Sequence, residues 1–306
     1  MAAQANTMSL VTNLNVDPYY DDFDESKNFH RILFRPGMAV QARELTQMQS
    51  ILQNQIDRMA EFTFKEGSSV RGCESNLDLK HSYVKLRDTQ SNGSTTANVY
   101  PFADKIVKGA TSGVLATVVQ VNDGAEANTP NFKTLFVKYT SSNTTTGYVT
   151  FANNEIITAV TNTAITANSI ATSSIGEGSS IKVSHGVIFA KDHFIRVDAQ
   201  SLVLDKYSNR PSYRVGFTIT ESVVDSVGDA SLTDPASGSY NYSAPGANRL
   251  KMVANITKAN LTETVSNNFV QFIELRTGKI QPKADKPQLA GIRDYISQRT
   301  YDESGD

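Results

Sequence analysis

The chain has 306 residues, enough for two or three domains with a sizeable core. Its 29 Lys and Arg stand against 31 Asp and Glu, a formal net charge of -2, which excludes nucleic-acid binding through a global positive field. A lone cysteine, Cys73, excludes an intrachain disulfide, and with four scattered His it excludes the common zinc-finger spacings. The first residues, MAAQANTMSL, lack the basic and apolar regions of a signal peptide. No apolar run approaches the roughly 20 residues of a membrane helix. The expectation is a soluble chain made in the cytoplasm, with no membrane insertion.

In chain order, residues 1–28 are polar and irregular. Asp17, Asp21, Asp22, Asp24 and Glu25 form an acidic cluster interleaved with Tyr19, Tyr20, Phe23 and Phe29. A calcium loop is one reading, but the glycine and terminal Glu of the EF-hand pattern are missing. The plainer reading is an N-terminal docking arm whose aromatics bind a neighbouring surface while its acids stay solvated. HRILF (30–34) has the residues of a short strand. Residues 35–65 are the only long stretch with a clear helical period, and the expected helix covers about 40–62. Leu45, Met48, Leu52, Gln55, Met59 and Phe62 fall at alternating spacings of three and four on one face. Ile51 and Ile56 widen this stripe, and glutamines crowd the remainder.

GSSVRG (67–72) reads as a turn-rich reversal and HSYVKLR (81–87) as a strand. From Tyr100 the texture becomes short apolar runs with turn signals every 8–12 residues, the pattern of a small barrel or sandwich. Residues 98–180 are marked as an inserted β domain closed by the low-complexity run 161–180. IKVSHGVIFA and HFIRVDA flank Lys191-Asp192, suggesting a hairpin. In SYRVGFTITE, Tyr213, Val215, Phe217 and Ile219 share a face. Residues 224–249 lack periodicity, and such long loops are usually functional or disordered. Residues 250–258 and 268–276 read as two arms of an antiparallel pair, and 286–300 as a short helix. The fold class is therefore mainly β and multi-domain, with short antiparallel sheets or a small barrel plus one long N-terminal helix. The expected divisions are 1–97, 98–180 and 181–306.

No catalytic constellation emerges. There is no G-x-S-x-G elbow, and Gly278-Lys279 lacks the rest of a P-loop. His185 and His193 could meet across the hairpin, but two ligands do not make a metal site. Cys73 has no base nearby in sequence. The expectation is a non-enzyme with no cofactor.

Four stretches carry a resemblance: DPYYDDFDESKNFHRILFRPGMAVQARELTQMQSILQNQI, SYRVGFTITES, SYNYSAPGANRLK and RTYDESGD. In this order they resemble a family of virion structural proteins of contractile-tailed bacteriophages, well represented among cyanophages. Residues 98–180 resemble it only loosely, and longer members are expected to continue past YDESGD. The resemblance implies a baseplate or tail-fibre subunit located in the virion, with other tail proteins as partners and no catalytic residues carried over. Under it, the 40–62 helix is expected either to bundle as a homotrimer, with Gln55 as a polar layer, or to pack across its own sheet. An alternative role is a receptor-binding module, with Tyr240 and Tyr242 touching host surface glycan; packing of these rings is the plainer reading.

Overall fold

A computed structural model describes residues 10–89, 98–128, 130–281 and 290–304. The protein is mainly β, with 42% of residues in strands arranged as three antiparallel sheets. The largest sheet has eight strands. These are β2 (Ser75–Leu86), β3 (Ile106–Gly109), β4 (Leu115–Asn122), β5 (Lys133–Ser141), β6 (Ile156–Ala159), β7 (Asn162–Asn168), β8 (Ile175–Val183) and β11 (Gln200–Asp205), in the order β11-β8-β2-β5-β4-β3-β6-β7. A second sheet orders β1 (Ser68–Gly72), β9 (Gly186–Ala190) and β10 (His193–Val197) as β1-β9-β10. The third contains β12 (Tyr213–Val224), β13 (Arg249–Asn260), β14 (Phe269–Arg276) and β15 (Lys279–Gln281), ordered β13-β12-β14-β15. The helices are α1 (Ala42–Thr63) and α2 (Ala290–Ser304).

The expected barrel does not form. The large sheet does not close into a barrel: its ladder runs from β11 to β7, and β7 meets β2 only at its end, where Arg87 N donates to Asn168 O at 2.9 Å and Leu86 bridges Ser169. It also crosses both expected divisions of the chain. β2 from the first part, β3 to β7 from the second and β11 from the third share one ladder, and the division at residue 180 falls inside β8. The low-complexity run supplies β7 and much of β8. Its small residues Ala167, Ser169, Ser174, Ser179 and Ser180 are buried. GSSVRG is a strand rather than a reversal, because β1 pairs with β9 from Ser68↔Phe189 to Gly72↔Gly186. HRILF forms no strand, and the described chain before α1 is an arm with a short 3-10 turn at Glu25–Lys27, so the long helix begins only at Ala42. β13 and β14 do not pair with each other; β12 lies between them.

Two apolar clusters hold these sheets. One joins all three sheets through Ile181, Ile188, Val197, Leu204, Val215 and Phe217 with Ile256 and Leu275. The other lies under β2 to β7 and contains Leu86, Phe102, Val107, Val118, Leu135, Phe151 and Ile157. The alternation read in β12 explains its place, since Val215, Phe217 and Ile219 are all fully buried. Lys191-Asp192 is a two-residue hairpin turn between β9 and β10, with φ of 51° and 62°. Positive φ at both positions is what a type I′ turn requires.

Glu155 is the polar staple of the second cluster. Although almost fully buried, it accepts from Thr111 N at 3.0 Å, Ser112 N at 2.9 Å, Ser112 Oγ at 3.0 Å and Ala152 N at 2.6 Å. Glu155→Ala strands these donors in the interior, and the expected loss is about 3 kcal/mol in urea unfolding. Glu155→Gln retains one acceptor oxygen and should lose less.

Candidate functional site

The helix and the arm before it form the chemically distinctive surface of the molecule. α1 starts with a backbone-capping contact, Gln41 N donating to Glu44 Oε2 at 2.9 Å. It ends where Phe64 N donates to Ala60 O and the Phe64 ring packs on Phe189 and Phe194. Gly67 then reverses the chain at φ +76°, where a Cβ would lie 2.3 Å from Gln271 O. Only a glycine fits that close approach.

One side of α1 is tied to its own chain, and it is the polar side. Ser50 Oγ donates to Asp21, and Gln47 Nε2 donates to Asp21 O at 3.0 Å. Arg43 pairs with Asp22 at 2.8 Å, and Arg58 Nε with Glu25 at 3.0 Å. Gln53 Nε2 donates to Asp192 O. Ile51 and Ala60 are the buried residues of the helix.

The opposite side is bare. Leu45, Met48, Leu52, Met59 and Phe62 are all exposed, Met59 at 76% and Leu52 at 58%. Gln55, between them, is exposed and lies 3.4 Å from His30 Nδ1. Ile56 joins this exposed stripe, whereas Ile51 does not. The helix therefore does not lay its apolar stripe across its own sheet. The stripe continues onto the segment leading into the helix, where Leu33, Phe34, Met38 and Val40 are exposed. Among the described residues, no backbone hydrogen bond involves the backbone from Phe29 to Phe34, although Ile, Leu and Phe are strand-forming residues.

The acids of the N-terminal arm are mostly exposed, as Asp17, Asp22, Asp24 and Glu25 show, while Asp21 is buried. Asp21, Asp22 and Glu25 also pin the arm to α1, and Asp24 caps Ser26 N at 2.9 Å. Burial pushes the Asp21 carboxyl up, against the Ser50 hydrogen bond. Of the aromatics, Tyr20 and Phe29 are exposed, Phe23 is half-buried and lines a crevice with Ile51, and Tyr19 Oη accepts from Asn248 Nδ2 at 2.7 Å.

Further upstream the arm is fixed by a buried ion pair. Lys191 is completely buried, and its Nζ lies 2.6 Å from Glu221 Oε1 and 2.7 Å from Asn268 Oδ1. Glu221 also accepts from Val11 N at 3.1 Å and Thr12 N at 2.8 Å. Burial disfavours its charge, but Lys191 and the two arm amides outweigh this and hold the carboxyl at about 2.

The turn that carries Lys191 also carries Asp192, which meets Asp57 and Glu61 of α1. Oxygens of all three carboxylates lie within 4.8 Å of one another. Asp57 Oδ1 and Asp192 Oδ1 are buried without a hydrogen-bond partner. Burial, then the charges of Asp192, Glu61 and Glu25, push Asp57 up to about 7. Burial and Glu61 push Asp192 up, and His193 opposes them. Three oxygens fall short of the six to eight that calcium takes, and no His or Cys joins them. This is a cluster of like charge at a joint. Sequence reasoning missed it, because Asp57 and Asp192 are far apart in the chain; the run of acids on the polar face of α1 was the available signal.

The remaining sequence candidates stay apart. Tyr240 and Tyr242 sit in the 225–248 loop and are exposed, Tyr240 fully. The loop is ordered by backbone and aspartate contacts instead of tyrosine packing. Asp234 N donates to Ala244 O, Ser243 N to Asp234 O and Gly246 N to Leu232 O, while Asp225 caps Gly228 N at 2.8 Å. It crowns the β12–β13 hairpin, whose last three residue pairs, outward from Ser222↔Lys251, contain no buried residue. His193 Nδ1 contacts Lys191 O at 2.7 Å, a local turn contact. Cys73 is buried, and burial pushes its thiol up. No helix among the described residues is long and apolar enough to cross a membrane.

The fold and site define a mainly β, antiparallel protein that presents an amphipathic helix apolar side outward. The chain belongs to the family described as a domain of unknown function, DUF4815, whose model matches residues 17–92 and 139–306. The matched part contains the arm from residue 17 onward, the helix and the 225–248 loop. The comparisons with curated proteins and with solved structures gave no match.

Breaking the Lys191–Glu221 pair tests the attachment of the arm. Lys191→Met should cost about 3 kcal/mol in chemical unfolding, since Glu221 is left buried and unneutralised. The depressed Glu221 carboxyl contributes stability that is present above the ordinary carboxylate range and lost as pH falls toward about 2. Glu221→Gln should therefore be less stable than the parent at neutral pH, and that gap should narrow in acid denaturation followed by circular dichroism.

Proposed function

We propose that this chain is a non-enzymatic structural subunit of a contractile phage tail, at the baseplate or in a tail fibre. It joins copies of itself, as a homotrimer, and neighbouring tail proteins. The observation that carries the assembly role is the exposed stripe of Leu45, Met48, Leu52, Gln55, Met59 and Phe62. Its alternating three and four spacing is that of a coiled-coil seam, and the uncharged side chains suit a second and third copy. An apolar surface this long is costly to leave in water and marks a protein interaction site. The opposite side of the helix is already held by its own chain, and on the stripe itself the arm reaches Gln55 through His30 at 3.4 Å. The virion assignment is supported by the four stretches quoted from the sequence, all of which lie within the residues matched by the family model.

Mass and location test this reading. Sedimentation of the purified chain should give three times the chain mass. Leu52→Asp should return the single-chain mass with the melting temperature of the single chain retained, because Leu52 contacts solvent in the monomer. A wild-type monomer up to high micromolar concentration would remove the trimer. Immunogold labelling of intact particles should mark the tail; particles without the chain would remove the virion role.

A second reading is favoured by one observation: a fully exposed Tyr240 at the tip of a projecting hairpin. Here the loop contacts host surface glycan through Tyr240 and Tyr242. Replacing both by Ala should change stability by no more than about 0.5 kcal/mol, as for other exposed surface positions. Glycan-array signal from the parent that disappears in this variant would support the reading, and a parent with no signal would remove it.

A further inference from the structure

We infer that the joint between α1 and the β9–β10 turn is a proton-operated latch: α1 is held against the body when the Asp57–Glu61–Asp192 cluster carries a proton and is loosened when all three groups are ionised. The inference rests on the fold alone and requires neither self-assembly nor a phage role. Two of the three groups come from α1 and one from the turn, so their mutual repulsion acts directly across the joint. Asp57 Oδ1 and Asp192 Oδ1 are buried and both lack a donor. A protonated Asp57 supplies an O–H for which an Asp192 oxygen is the nearby acceptor. One proton thus removes a charge from the joint and supplies a donor within 4.8 Å of the opposing carboxylate.

The surrounding groups do not neutralise the cluster. From α1, Arg58 is engaged by Glu25, and Gln53 bonds only the backbone O of Asp192. From the arm, Glu25 adds to the negative field at Asp57. From the turn, the Lys191 ammonium is committed to Glu221 and Asn268, and Lys191 N to Glu66. His193 alone favours ionised Asp192. The other ties of α1 to the body are few: Ile51 and Ala60 are buried, and the Phe64 ring follows the helix. The Asp57 carboxyl sits at about 7 against an ordinary 3.8. The docked helix therefore binds the proton more tightly than the released one, and docking is strongest in mild acid and lost as pH rises through about 7.

Hydrogen–deuterium exchange of α1 amides tests this, since a 22-residue helix freed from its contacts is marginal in water. After correction for intrinsic exchange, protection should fall by about tenfold or more between about pH 5.5 and about pH 8. Asp57→Asn should flatten that dependence, and Asp192→Asn, on the other side of the joint, should do the same where the first variant folds poorly. Equal wild-type protection at both pH values would overturn the latch. So would recovery of protection at the higher pH on adding calcium, because a metal rather than a proton would then close the cluster.

Discussion

Lys191 places a full positive charge in the interior, and the molecule is arranged around neutralising it. Its ammonium reaches Glu221 on β12 and Asn268 at the start of β14, while Glu221 also gathers the amides of Val11 and Thr12. One side chain thus ties the β9–β10 turn to the third sheet and to the N-terminal arm. An unpaired charge at this depth would cost more than the fold can supply, so these pieces come together or not at all. The next residue in the same tight turn has the opposite fate. Asp192 is held against Asp57 and Glu61, where burial and Glu61 disfavour its charge and His193 opposes them. Because a two-residue turn fixes both positions, the rigid pairing of Lys191 dictates the unfavourable position of Asp192.

The same arrangement explains how α1 comes to face outward. A helix with one apolar stripe normally buries it in the monomer. Here the acids of the arm bind the polar side first: Asp21 to Ser50, Asp22 to Arg43 and Glu25 to Arg58. The arm is anchored upstream by the Lys191–Glu221 pair and by Tyr19 with Asn248. With that side occupied, Leu52 and Met59 have only solvent or another molecule to meet. Surface ion pairs contribute little individually, about 0–1 kcal/mol, so the orientation relies on several together with Ile51 and Ala60 beneath.

These relations set the limit of what could be read from the sequence. The helix and the composition of its stripe follow from local periodicity, and so does the buried face of β12. Which side of α1 is covered does not, because Gln53 with Asp192 and Ser50 with Asp21 are non-local partners. The open eight-stranded sheet was hidden for a different reason. β7 and β8 are built largely from small and polar residues, and Asn168, Ser179 and Ser180 are buried there without the apolar alternation that marks a core strand. The pairing of β12 between β13 and β14 depends on strand order, which alternation does not encode. HRILF shows the converse case: strand propensity is present and no strand among the described residues pairs with it.

That unpaired stretch bears on what the outward helix is for. Exposed Leu33, Phe34 and Met38 precede α1, and His30 lies beside Gln55 in the middle of the stripe. The lead-in segment and the helix face therefore form one surface, with unmet backbone groups along one part and unmet apolar area along the other. A partner that supplied only a helix would satisfy the second and leave the first to water. On the self-assembly proposed above, a copy of the same chain would bring both a helix and sheet-edge backbone groups to this surface. The carboxylate joint lies on the reverse of that helix, so the proposed latch would govern how firmly the surface is presented.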